Sequence, residues 1–182
     1  IGYALDGEKT FSGRYATALN CNVTYAKEQF ETIKKRFGKE DGILAFHAYQ
    51  SFADYDDITP DMAHEIGVKL AEELWGDRFQ VIVATHLNTK CLHNHFVINS
   101  VSFADGKKYH DCRSTYRHMR EVSDSICRQY GLTVIEKPKG HGEPVYMSQM
   151  SKAGMPTRYN MARQAVDEAI ALSLNLREFE LH

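Results

Sequence analysis

The sequence predicts an α+β or mixed α/β layer fold with an antiparallel component. Three observations carry that expectation. Two early segments read as amphipathic helices, each opened by a threonine and closed by a glycine. Three runs rich in β-branched and aromatic residues, Ile43–Phe52, Phe79–His86 and His93–Phe103, read as strands. The last two runs are separated only by Leu87–Leu92, so an antiparallel hairpin is their simplest connection.

The elements follow in order. Thr24 precedes a first helix in which Ala26, Phe30, Ile33 and Phe37 recur at helical spacing, with Lys34, Lys35 and Arg36 near its end and Gly38 closing it. The first strand run comes next. Thr59 then caps a second helix, Pro60 takes its first position, and Met62, Ile66, Leu70 and Leu74 form an apolar stripe ending at Gly76. After the hairpin, a third helix is expected from about Ser114 to Tyr130, stopped by Gly131 and followed by a short strand, Leu132–Glu136. Lys137–Pro144 reads as a Pro/Gly/charge linker, and Thr157 opens a further helix through Leu174. This organisation predicts a core over residues 1–136, a linker or extended arm over 137–156, and a helical extension over 157–182 that stops short of further domains.

Composition narrows the class. The chain has 182 residues, 43% hydrophobic and 25% charged, enough for one packed domain with an appended arm and unlike disordered, collagenous or coiled-coil sequences. Its longest apolar stretches fall far short of the roughly 20 residues of a membrane-spanning helix. No leader is legible after Ile1, and Cys21, Cys91, Cys112 and Cys127 show neither CxxC spacing nor a dense framework, so free thiols in a cytosolic protein are expected. The formal charge of −2 advertises no broad nucleic-acid surface, and any such function must rest on local features.

The informative segment runs from Thr85 to Phe96 and contains His86, His93 and His95. Side chains alternate along a strand, so His93 and His95 share a face, and a hairpin closed across Leu87–Leu92 sets His86 opposite His93. Three neutral imidazoles in one patch suit a divalent cation and leave coordination positions for water or substrate. Two plainer readings stand beside this one: strand-end histidines satisfied by nearby backbone, and a closed structural zinc site with Cys91 as fourth ligand. Tyr3 is the candidate nucleophile, one of ten tyrosines in the chain.

At these residues the chain resembles a known family. The segment HLNTKCLHNHFVINSVSFADGKKYH resembles the three-histidine motif of relaxase/mobilisation nucleases of the MobP or VirD type, AFHAYQSF resembles their second motif, and GYALDGEKT their first. The resemblance continues through CRQYGLTVIEKPKG to about residue 140. It implies a central antiparallel sheet with packed helices, as in relaxases and the wider HUH endonucleases. It implies Tyr3 as nucleophile, His86, His93 and His95 as metal ligands, and His47 and Gln50 as second-motif residues near the site, His47 as base or phosphate holder. Asn99 is expected to support the ligand strand. Many relatives carry an acid two residues after the first histidine, where this chain has Asn88, and Cys91-Leu92 are inserted before His93.

The activity implied is a metal-dependent nick and rejoining of one DNA strand at an origin of transfer, through a 5′-phosphotyrosyl link. The family implies manganese or magnesium; coordination chemistry alone favours manganese, zinc or nickel for three imidazoles. The implied partners are single-stranded DNA with an adjacent hairpin, accessory mobilisation proteins and a type IV secretion coupling protein, in the bacterial cytoplasm and without a membrane. Lys107, Lys108, Arg113, Arg117 and Arg120 are candidates to track phosphates, against the alternative that Arg117–Glu121 and Asp124–Arg128 are ordinary i,i+4 pairs. Tyr49 and Tyr55 are candidates to stack on unpaired bases or to pack half-buried. A rolling-circle initiator or single-strand transposase shares this chemistry, and a noncatalytic zinc-stabilised DNA-binding module is the rival of another class.

Overall fold

A computed structural model describes Leu5 and residues 14–87, 91–136, 149–150 and 152–172. Two units are distinguished, Ile1–Ile135 and Glu136–His182. The first unit holds a four-stranded antiparallel sheet made of β1 (Ala16–Leu19), β2 (Ala45–Ser51), β3 (Val81–His86) and β4 (His93–Asn99), in the order β1-β3-β4-β2. Helices α1 (Ala26–Arg36), α2 (Pro60–Trp75) and α3 (Arg113–Gln129) accompany it. The second unit contains α4 (Arg158–Leu172), where the Thr157 hydroxyl accepts from the Asn160 N–H. Among the described residues no helix is long and apolar enough to cross a membrane.

The α+β class and the antiparallel hairpin are as expected. The two central strands, β3 and β4, carry the apolar runs, and the period-two alternation divides them between two cores. On one face Val81, Val83, Phe96 and Ile98 pack with Ile66, Leu70 and Trp75 of α2 and with Val122, Ile126 and Cys127 of α3. On the other, Ile82, Ala84 and Val97 pack with Ala26 and Phe30 of α1, and Leu5 lies against this second cluster. The sheet is thus a middle layer between α2/α3 and α1.

Several boundaries differ from the sequence reading. Strand β1 went unforeseen: Ala-Thr-Ala-Leu is short and poor in β-branched residues, yet it pairs along the outer edge of β3. The cap of α1 is Tyr25 rather than Thr24; Thr24 is turned by its N–H donating to Asn22 Oδ1 at 2.9 Å. The Thr59 hydroxyl does cap α2, accepting from the Met62 N–H. Strand β4 ends at Asn99, beyond which only a single bridge, Val101 with Lys108, continues pairing. The expected strand Leu132–Glu136 does not join the sheet. Its N–H groups are spent locally, Leu132 on the Cys127 carbonyl and Thr133 on the Asp56 carboxylate, after Gly131 turns the chain at φ +71°.

All four cysteines are free thiols. At the start of α3, hydrogen bonds from the Ser114 hydroxyl and the Thr115 backbone lower the Cys112 thiol to about 6, whereas burial pushes Cys21 up to about 11. Iodoacetamide at pH 7 is therefore expected to alkylate Cys112 well before Cys21, with the Cys112 rate rising through pH about 6 as the thiolate forms. Peptide mass mapping over time reads this directly, and Cys21 reacting first would overturn it.

Candidate metal centre and nuclease site

The β3–β4 register pairs His86 with His93, and His95 follows on the same face two residues along. All three imidazoles therefore meet at the end of the hairpin on the α1 side of the sheet. Their ring centroids lie 5.3 Å apart for His86–His93, 4.2 Å for His86–His95 and 4.9 Å for His93–His95. One ligand nitrogen from each falls within 4.8 Å of the other two. His86 and His95 are buried and His93 is half-buried, so the group is rooted in the sheet and opens at one side.

Two further contacts orient these rings. His93 Nδ1 donates to the Cys91 carbonyl at 3.1 Å, and His95 Nδ1 lies 2.7 Å from His47 Nε2 with the two rings stacked at 6°. Each contact engages Nδ1, so Nε2 is the nitrogen that His93 and His95 would offer to a metal ion. A carbonyl or imidazole behind a ligating histidine sets its tautomer in this way, and three such donors with no carboxylate suit a borderline divalent ion. The residues present fit a divalent metal ion. The Cys91 sulfur is not in the metal-capable group among the described residues; its residue takes part through the carbonyl.

His47 reaches this patch from the neighbouring strand. Tyr49 stands opposite His95 in the β2–β4 register and His47 opposite Val97, which makes His47 the diagonal neighbour of His95. The structure thus brings together His47, His86, His93 and His95.

The other expected site residues lie away from this patch. Gln50 is three residues from His47, an odd offset, so it points to the opposite face. There it is buried, donating to Ser123 Oγ at 2.8 Å and accepting from Asn94 Nδ2 at 3.1 Å. Asn99 shares the histidine face but sits four residues beyond His95, about 13 Å along the strand. It is buried and donates to the Phe30 carbonyl and to Gln80 Oε1.

The basic candidates are likewise distant. Lys107 and Lys108 follow the far end of β4 and pair with Asp105 and Asp41. Arg113, Arg117 and Arg120 ride on α3, which packs on the face away from the histidines. The alternative assigned to that helix also fails, since neither Arg117–Glu121 nor Asp124–Arg128 forms an ion pair among the described residues. Tyr49 and Tyr55 are not half-buried packing: they are 70% and 75% exposed. Tyr3 and Asn88 lie outside the described residues.

Residues 3–132 match the relaxase family described as MobA/VirD2-like, nuclease domain. The chain belongs to the MobA/VirD2-like relaxase family. This relaxase domain is 40% identical over 121 residues to a Staphylococcus aureus protein named Protein rlx, covering 66% of the chain and 38% of that protein. Another Staphylococcus aureus Protein rlx is 32% identical over 179 residues, 98% of the chain and 54% of the relative. A Lactococcus lactis protein named group II intron-interrupted relaxase LtrB is 27% identical over 168 residues, 82% of the chain and 29% of the relative. The relaxase domain therefore spans about half or less of the length of these relatives. No solved structure matches it.

Sequence reasoning missed the Cys91 carbonyl, because it weighed the thiol, and missed the pairing of His47 with His95. The first was legible, since a residue two before a strand histidine is within reach of its Nδ1. The second had no local signal, because it depends on a pairing between β2 and β4 across 48 residues.

Proposed function

We propose that this domain is the nicking and rejoining module of a conjugative relaxase, acting on single-stranded DNA at an origin of transfer. The observation that carries the reading is the convergence of His86, His93 and His95 on a sheet face within a relaxase nuclease domain. These three residues would hold a divalent cation, manganese or magnesium in the family's chemistry, with zinc or nickel as alternatives. When bound, the cation supplies positive charge to the non-bridging oxygens of the scissile phosphate.

The remaining chemistry belongs to the chain. Tyr3 supplies the phenol, whose oxygen forms a bond to phosphorus as the bond to the 3′ oxygen breaks. The phenolic proton leaves to a base, and one proton is delivered to the 3′ oxygen, which departs as a hydroxyl, so the step is proton-neutral overall. One phosphodiester replaces another, so attack by a 3′-hydroxyl on the phosphotyrosine reverses the step.

His47, held against His95, serves as the residue that orients that imidazole. Tyr49 and Tyr55 offer exposed rings to unpaired bases, worth roughly 1–3 kcal/mol per stacked base. Arg113 and Arg117, exposed on α3, are available to phosphates away from the histidine face. A hairpin beside the nick, accessory mobilisation proteins and a type IV secretion coupling protein complete the proposed partners, in the bacterial cytoplasm. The rolling-circle and transposase alternatives differ in the DNA they select.

The experiment is a denaturing-gel search for a covalent protein–DNA adduct, with manganese and single-stranded oligonucleotides tiled across the parent element. An adduct on one tile is expected, and it locates the nick. Folded, metal-loaded protein that forms none on any tile would overturn the strand-transfer reading.

A further inference from the structure

Behind the histidines, on the α2 side of the sheet, a chain of side-chain hydrogen bonds crosses all four strands. Thr17 Oγ1 of β1 lies 2.8 Å from His64 Nε2 of α2, and His64 Nδ1 lies 2.8 Å from Thr85 Oγ1 of β3. The Thr85 hydroxyl donates to Asn94 Oδ1 of β4 at 2.6 Å. Asn94 Nδ2 donates to Gln50 Oε1 of β2 at 3.1 Å and to the Ala63 carbonyl of α2 at 2.8 Å, and Gln50 Nε2 donates to Ser123 Oγ of α3.

The directions are mutually consistent. A hydroxyl has one proton, and Thr85 gives its own to Asn94, so it accepts from His64 Nδ1–H. His64 is then neutral, with Nε2 accepting from the Thr17 hydroxyl; burial lowers its pKa and favours that form. Apart from the branch to the Ala63 carbonyl, every bond runs from β1 toward α3, the arrangement in which each polarises the next.

The chain lies immediately behind the metal-capable group. Thr85 and Asn94 are register partners, and the next rung toward the hairpin end is His86 with His93. Asn94 sits between His93 and His95 in sequence and points to the opposite face, so it touches no ligand and fixes the strand that bears two of them. A slip of one residue would turn the histidines away from one another.

The packing shows what Asn94 requires. Gly67 lies inside α2, where glycine is a poor helix former. A Cβ there would stand 2.5 Å from Asn94 Nδ2 and 2.7 Å from its Cγ. The interior glycine and the fully buried amide serve one arrangement, the seat of the Asn94 side chain.

We propose that Thr85 and Asn94 are positioning residues whose buried hydrogen-bond chain holds His86, His93 and His95 in ligating register. This rests on the reading of those histidines as a metal centre. The test is titration of the folded protein with Mn²⁺ alone, reading the free ion by electron paramagnetic resonance, for wild type, Thr85→Val, Thr85→Ser and His95→Ala.

Thr85→Val keeps shape and loses both bonds; it is expected to weaken Mn²⁺ about 10-fold, within the range for residues supporting metal ligands, while Thr85→Ser restores it. Wild-type affinity in Thr85→Val, with only its melting temperature lowered, would overturn the proposal and leave the metal reading intact. Equal binding by wild type and His95→Ala would overturn the metal reading and this proposal with it. Should Thr85→Val fail to fold, Gly67→Ala crowds Asn94 from a position that gains helix propensity. Weakened Mn²⁺ binding there supports the proposal, and unchanged binding overturns it.

Discussion

Tyr3→Phe is expected to bind oligonucleotide as wild type does and to lose strand cleavage and the covalent adduct by roughly 10⁴-fold or more, because no other group can replace the missing oxygen in the same bond. The substitution removes one hydroxyl and leaves the ring, so binding and folding serve as internal controls. Gel-shift affinity and adduct yield, measured on the oligonucleotide that reacts with wild type, separate the two. Cleavage that survives at the wild-type rate would assign the nucleophile to another residue.

His95→Ala should lower Mn²⁺ affinity by more than about 100-fold and abolish cleavage with it, a larger effect than loss of a supporting residue. His95 is buried, is one of three convergent donors and is itself held by His47. Its loss also leaves a cavity and strands His47 without its stacked partner, so a destabilisation of about 1–3 kcal/mol accompanies the metal effect. Calorimetric melting beside the metal titration distinguishes them: a folded variant with unchanged Mn²⁺ affinity would remove His95 from the ligand set.

The histidine patch was legible because its causes are local. Strand parity sets His93 and His95 on one face, and a short connection between two β-branched runs pairs His86 with His93. The same parity, applied to β2, sends Gln50 to the opposite face from His47, beside Asn94. Other outcomes had no local signal. Strand β1 has little propensity of its own and is ordered by the exposed edge of β3. The expected strand after Gly131 has the right composition, yet its donors found nearer acceptors in Cys127 and Asp56.

By itself, the sequence determined the helices, the strands β2, β3 and β4, the hairpin and the convergence of three imidazoles, because each follows from spacing along one or two adjacent segments. The tertiary structure alone decided which face each helix covers, and therefore that α3 with its arginines lies away from the histidines while α1 lies beside them. It also decided that His47 meets His95 and that Gln50 joins Asn94 instead of the site. These outcomes depend on non-local pairing of β2 with β4 and on burial summed over whole faces, quantities that no window of the chain contains.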